Sequence, residues 1–395
     1  MRCAAVVAAI VVAVGAEAAA QPQPLDRGNL AGGPVEAEPP QIELLTFGVG
    51  ARIFEKWGHA AICIRYHDPR ISAVCFNYGV TDFGNAGGGM VWRFLRGEQQ
   101  FWVEPSTYGS MVNFYKWEDR DVWSQILPLA PADARAVELK LWASLDDKVR
   151  FYTYDHFRDN CATRVRDIVD DAVHGKLRDG SDTPYPLTYR EIGVRGLAPW
   201  PLLVGLTDFI VGRTVDDTPT IWEAMFQPDV LRAEVEAKLG VAPRLVYKRG
   251  GDAFPSSGPT WRLQMLAIAL VFALPLAIAT WRRRFVRAAT AWAAVYLTLW
   301  GLVLWTVVAV SSIPGVRWNE LVLVFVPFDV ALPFFGEVRR RRYALVRVGM
   351  LALVSLLAAI GLFHQPVWIP VVCAFAPLAI IAFATPRPRY DPEPS

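Results

Sequence analysis

Cysteine and histidine are scarce, five of each in 395 residues. No Cys-x-x-Cys or His-Glu-x-x-His spacing occurs, so the residue types that bind zinc are present without the pattern that binds it, and no metal is implied. The chain also lacks a Walker loop, a Gly-x-Gly-x-x-Gly turn, an internal repeat and a long basic run. These gaps remove the sequence arguments for a nucleotide cofactor and for nucleic acid as a partner. A net charge of +2 favours no class of partner. Apolar residues, by contrast, make up 53% of the chain, too many for a purely soluble protein.

Their placement gives an organisation. Residues 1–20, one arginine followed by an apolar run and an Ala-x-Ala ending, read as a secretory signal with cleavage near Ala18 or Ala20. Residues 21–41, rich in Pro, Gly and acidic side chains, read as a flexible linker. An exported domain of roughly 215 residues, 42–258, is long enough to bury a core of its own. From 259 to 385 five apolar blocks follow, 261–281, 288–310, 320–336, 344–364 and 367–384, each near the length a bilayer requires. Arginines follow the first block (282–287), the third (339–342) and the fifth (387–389). Basic loops stay cytoplasmic, so the domain before residue 260 faces outward and the tail 386–395 faces the cytoplasm.

In an exported domain the remaining cysteines carry weight. Cys63 and Cys75 flank a His-Asp-Pro-Arg turn between two expected strands, 60–66 and 72–80. They are either a cross-strand disulfide or two small buried thiols. Cys161 is the odd one out. In "NCATRVRDIVDDAVHGKL", Cys161, Val165, Ile168 and Ala172 share one helical face, and Asp159 or Asn160 is a good N-cap, so Cys161 falls in the first turn. There the helix dipole favours a thiolate, and free N–H groups suit the oxyanion of an acyl-transfer intermediate. The alternative is a small residue on a buried helix face. Four histidines lie outside the membrane blocks. His67 and His174 read as structural or solvated, and His156 would have to fold back across the helix start. His59, entering a strand after Gly58, is the expected base for Cys161.

The stretches "WGHAAICIRY", "FNYGVTDFGN", "WRFLRGEQQFWV", "YDHFRDNCATRVRD" and "WNELVLVFVPFDVALPF" together resemble the successive motifs of the Lnb-type family, from about Ile42 into the membrane blocks. The resemblance implies an α+β fold: a circularly permuted papain-like (NlpC-like) cysteine domain followed by about five transmembrane helices. It implies a lipoprotein N-acyltransferase of the bacterial inner membrane with its N-terminal domain in the periplasm. Such an enzyme moves an acyl chain from a phospholipid donor to the N-terminal amine of a lipoprotein acceptor, with no cofactor. Carried onto this chain, Cys161 is the nucleophile, His59 the general base and Asn77 the group that orients the imidazole, with Tyr78 and Asp82 behind it. Asn160, Arg164 and Asp167 support the site, the last two as a pair three residues apart that either braces it or is an ordinary surface pair. Aromatics from Trp92 to Trp123 line an apolar approach, lie at the membrane interface or are ordinary core. Asp329 is a functional intramembrane carboxylate, a partner of Arg347 or a group near an interface. A membrane-anchored cysteine amidase or peptidase acting on cell-wall peptides, and a non-catalytic binding protein, are the rival classes.

Overall fold

The computed structural model describes residues 21–25, 36–51, 55–82, 88–254 and 261–383. The expected signal peptide, the tail and residues 26–35 of the expected linker lie outside the described residues. The chain divides into two units, Met1–Pro199 with Asp217–Ser257 and Trp200–Asp216 with Gly258–Ser395.

The first unit is a mixed α+β domain on a seven-stranded antiparallel sheet ordered β6-β4-β3-β2-β1-β5-β7. The strands are β1 (Gln41–Phe47), β2 (His59–Arg65), β3 (Val74–Val80), β4 (Gln100–Thr107), β5 (Val122–Ile126), β6 (Phe151–Thr153) and β7 (Arg244–Tyr247). Its helices are α1 (Gly88–Leu95), α2 (Tyr108–Trp117), α3 (Pro131–Ala143), α4 (Cys161–Ala172), α5 (Tyr189–Leu197) and, beyond a helix α6 that belongs to the second unit, α7 (Pro228–Leu239). The central strands are near-continuous apolar runs because both faces are covered. One face, with Ile42, Leu44, Ala60, Ile62 and Phe76, packs on Val165, Ile168 and Val169 of α4. The other, with Leu45, Phe47, Ala61 and the two cysteines, packs on Met111, Val112 and Tyr115 of α2.

The expected hairpin forms, with Asp68 accepting from the Arg70 N–H at its turn. Its antiparallel register sets Cys63 opposite Cys75, and the two are disulfide-bonded. Part of the expected linker lies against the domain. Leu25 N–H donates to Pro105 O at 2.8 Å, and the Glu36 carboxylate accepts from the N–H groups of His67 and Asp68.

The second unit contains α6 (Pro201–Ile210), α8 (Trp261–Arg282), α9 (Val286–Val310), α10 (Glu337–Ala359) and α11 (Trp368–Phe383). Among the described residues, α8, α9 and α10 are long and apolar enough to cross a membrane, while α6 and α11 are shorter. Of the five expected blocks, three therefore form helices of that length among the described residues. The third block, 320–336, is two 3₁₀ segments, Glu320–Leu323 and Pro327–Phe334, joined by irregular chain. Pro327 and Pro333 cannot donate helical hydrogen bonds, which explains the interruption. The segment nonetheless runs antiparallel along α9. Trp305 donates to Val322 O, Gly301 lies against the Val326–Pro327 peptide, and Arg287 donates to Pro333 O. From Trp305 to Arg287 a helix rises roughly 27 Å, close to the apolar thickness of a bilayer.

Backbone carbonyls freed by this irregular path need partners. Arg347 supplies them from α10. Its Nη2 donates to Val324 O at 2.7 Å and its Nε to Asp329 Oδ1 at 2.9 Å; Tyr343 OH donates to the same carboxylate at 2.9 Å. Asp329 and Arg347 are 0% and 2% exposed, so each neutralises the other where water is excluded. The expected pairing of Asp329 with Arg347 forms.

Candidate functional site

Helix α4 begins as its sequence predicts. Asn160 is the N-cap: its Oδ1 accepts from the N–H groups of Ala162 and Thr163 at 2.9 Å, and Thr163 Oγ1 accepts from Asn160 N–H. Its Nδ2 donates to the carbonyls of His156 (2.9 Å) and Phe226 (3.0 Å), tying the helix start to the preceding loop and to the segment before α7. Cys161 is thereby held at the first helical position as a free thiol. The backbone N–H groups of Ala60, Ala162 and Cys161 itself favour a negative charge on the sulfur.

These donors and the nearby Arg120 all favour the anion, but desolvation outweighs them and pushes the thiol up to about 11. The helix N-terminus favours the thiolate as expected, and desolvation opposes it, which puts the balance on the side of the thiol. The dipole acts in the expected direction and loses to burial.

His59 opens β2. Gly58 before it has φ +81°, and a Cβ there would sit 2.7 Å from Phe47 O, so only glycine lets the chain turn into the strand this close to β1. The imidazole lies beside the stacked rings of Phe47 and Tyr115, its ring centre about 6 Å from each. His59 Nε2 is 2.7 Å from Asn77 Oδ1, which also accepts from Gly79 N–H at 3.0 Å. An atom that accepts from a backbone N–H is the amide oxygen, so Nε2 carries the proton and Nδ1 keeps its lone pair. Burial, then the charge of Arg120, lowers the imidazole to about 3 despite the Asn77 bond, so the ring is neutral at pH 7.

Cys161, His59, Asn77 and Asn160 line one pocket of about 90 Å³. Among the described residues no hydrogen bond joins the Cys161 sulfur to the imidazole. Catalytic hydrogen bonds in ligand-free sites are often long and tighten only with substrate. The walls also include Phe101 and Phe114 from the aromatic stretch, with Tyr115, Tyr154 and His156. Other aromatics of that stretch point elsewhere: Trp117 is 71% exposed, and Trp123 lies under Arg232.

The remaining expected site residues are not at the pocket. Arg164 does not pair with Asp167. It makes two bonds to Asp159, at 2.7 and 2.8 Å, and lies over the Tyr152 ring, while Asp167 pairs with Arg166. Asp159, just before the helix, offers both oxygens to the Arg164 fork, a better geometry than a single i,i+3 contact. Tyr78 stands on the α4 face, opposite to Asn77, and donates to Ser144 Oγ; Asp82 is exposed beyond the end of β3. His67 and His174 are exposed and bond to Pro39 O and Asp133 respectively.

Arg120, which the sequence reading passed over, is 2% exposed and lines the pocket. It sits in the charge run Glu118-Asp119-Arg120-Asp121, which from sequence alone reads as a solvated turn.

Residues 34–194 match the family model described as the Lnb N-terminal periplasmic domain. No curated protein and no solved structure matches the chain. The matched span runs from just before β1 into α5 and contains both Cys161 and the His59–Asn77 pair, so this part of the chain is similar to the Lnb N-terminal periplasmic domain.

Proposed function

We propose that the chain is a cysteine-dependent lipoprotein N-acyltransferase. The observation that carries this reading is the convergence of a free, helix-capped cysteine and an Asn-oriented neutral imidazole in one pocket of an Lnb domain. That domain is followed by helices apolar enough for a bilayer. The order of parts, histidine strand before cysteine helix, fits a circularly permuted papain-like domain. The arginine clusters at 282–287 and 339–342, at the start of α9 and α10, suit an inner-membrane orientation with the domain in the periplasm.

With thiol and imidazole both neutral at rest, proton transfer accompanies attack. As Cys161 Sγ bonds to the ester carbonyl carbon of a phospholipid, its proton passes to His59 Nδ1 and the carbonyl electron pair moves to oxygen. Collapse breaks the carbon–oxygen ester bond, and the leaving lysophospholipid alcohol takes the proton from His59. The lipoprotein's N-terminal amine then attacks the thioester, His59 relays the amine proton to the departing sulfur, and an amide is left. Water must be kept from the thioester, a role that suits the aromatic walls.

Mass spectrometry of lipoprotein N-termini tests the reading. A Cys161→Ala strain should lose the N-acyl chain. Unchanged lipopeptides together with altered wall fragments would replace this reading with the amidase.

A further inference from the structure

Among the described residues, three buried side-chain nitrogens at this pocket have no hydrogen-bond partner: Trp57 Nε1, Arg120 Nη2 and His156 Nε2. Such groups are rare in folded proteins, because each costs the desolvation of a donor without return. Trp57 Nε1 lies against helix α5, where a Cβ on Gly196 would be 2.5 Å away, so a packing neighbour covers it. The other two call for an acceptor.

Arg120 is pinned so that one edge remains. Its Nε donates to Gly48 O at 2.8 Å, its face lies on the Tyr115 ring at 4.7 Å, and its Nη1 is 3.8 Å from Glu55. Nη2 is left over. The charge lies close enough to Cys161 to favour its thiolate and close enough to His59 to oppose the imidazolium. A fixed cation placed this way works against the base at rest and in favour of negative charge at the sulfur. His156 offers a second donor. Burial holds its ring near 4, hence neutral, and Tyr154 OH lies 3.1 Å from Nδ1. With the phenol donating to Nδ1, the ring proton sits on Nε2.

We propose that Arg120 Nη2, together with His156 Nε2 on the same pocket, stabilises the negative oxygen that forms when Cys161 attacks an ester. Arg120 is then a catalytic residue, and the unpaired donors of the resting site are the transition state's hydrogen bonds held ready. This inference rests on the reading of Cys161 as an acylated nucleophile but not on the identity of the donor lipid or acceptor. In the step concerned the sulfur–carbon bond forms and the S–H proton goes to His59 Nδ1. The carbonyl π pair becomes the oxyanion facing Arg120, and it re-forms the carbonyl as the alkoxy group leaves.

The test is the burst of p-nitrophenol from p-nitrophenyl butyrate with the full chain in detergent, which reads Cys161 acylation without any lipoprotein. Arg120→Gln should lower the burst rate constant about 100-fold with KM changed less than about threefold, and Arg120→Lys should recover at least about a tenth of the wild-type rate. The Cys161 alkylation profile should shift to higher pH in Arg120→Gln and not in Arg120→Lys. His156→Gln should slow the burst about tenfold and leave the alkylation profile in place. A burst within about threefold of wild type in Arg120→Gln, or a loss confined to KM, overturns the proposal. If Arg120→Gln does not fold, the Arg120→Lys and His156→Gln bursts decide, and wild-type rates in both overturn it. An Arg120-dependent burst in a protein that leaves lipoprotein N-termini unmodified would refute the acyltransferase reading alone.

Discussion

Alkylation of Cys161 by iodoacetamide across the pH range reads the charge of the thiol directly, because only the thiolate reacts. The thiol is pushed up to about 11 and the imidazole down to about 3, so their proton affinities differ by about eight pH units. Moving the proton from sulfur to ring in the resting site therefore costs roughly 11 kcal/mol before the attraction of the resulting charges. At pH 7 about one molecule in ten thousand carries the thiolate. The rate should climb about tenfold per pH unit from pH 7 to about 10, and His59→Ala should keep the same slope. Cys373, the other free cysteine, is buried in the second unit, and a Cys161→Ser control subtracts its share. A rate that is flat between about pH 5 and 8, as a preformed thiolate–imidazolium pair would give, refutes the reasoning.

Four further outcomes are expected. Gly79→Ala places a Cβ 2.6 Å from His59 Cε1, which forces the ring off Asn77; acylation should fall at least about tenfold with the fold kept, and a full rate would show that this contact does not matter. His59 and His156 are depressed in the folded state, so below about pH 6.5 the unfolded chain binds more protons than the folded one. Stability should therefore fall by about 1.4 kcal/mol per pH unit per histidine as pH drops towards about 4, and His59→Phe should flatten the slope in denaturant titrations. Asp329→Ala leaves Arg347 buried and unpaired, a loss of about 3–5 kcal/mol in detergent unfolding, and adding Arg347→Met should restore part of it; strictly additive losses would rule out the coupling. Replacing Cys63 and Cys75 by serine opens a short loop, 12 residues apart in sequence, and should cost about 3 kcal/mol; an unchanged urea midpoint would contradict this.

Local signals carried much of the site. The helix at Cys161 was legible because an Asn N-cap and a 3.6-residue apolar period agree, and the hairpin because a turn separates two β-rich runs. Asn77 as the partner of His59 came from family resemblance, and the geometry places it there. What failed to read were quantities set by distant neighbours. The resting charge of Cys161 depends on how much water the surrounding sheet and aromatics exclude, which no spacing reports. Arg120 reads as a surface charge until its turn folds against Gly48 and Tyr115. The Arg164–Asp167 pairing failed because a bidentate partner, Asp159, lay just outside the helix. The third apolar block has the composition of a crossing helix, and hydropathy does not register the effect of two prolines and a buried arginine.

The irregular segment beside α9 has a consequence for biogenesis. Val322 O and Pro333 O are met by α9, but Val324 O and the Asp329 carboxylate are satisfied from α10, a helix that leaves the ribosome afterwards. In a bilayer the stretch from Glu320 to Phe334 would have no stable place until Arg347 arrives, so the two would enter as a hairpin rather than one after the other. A chain truncated before Arg347 should then be recognised by quality control as unassembled, even though every apolar residue of the third block has been made.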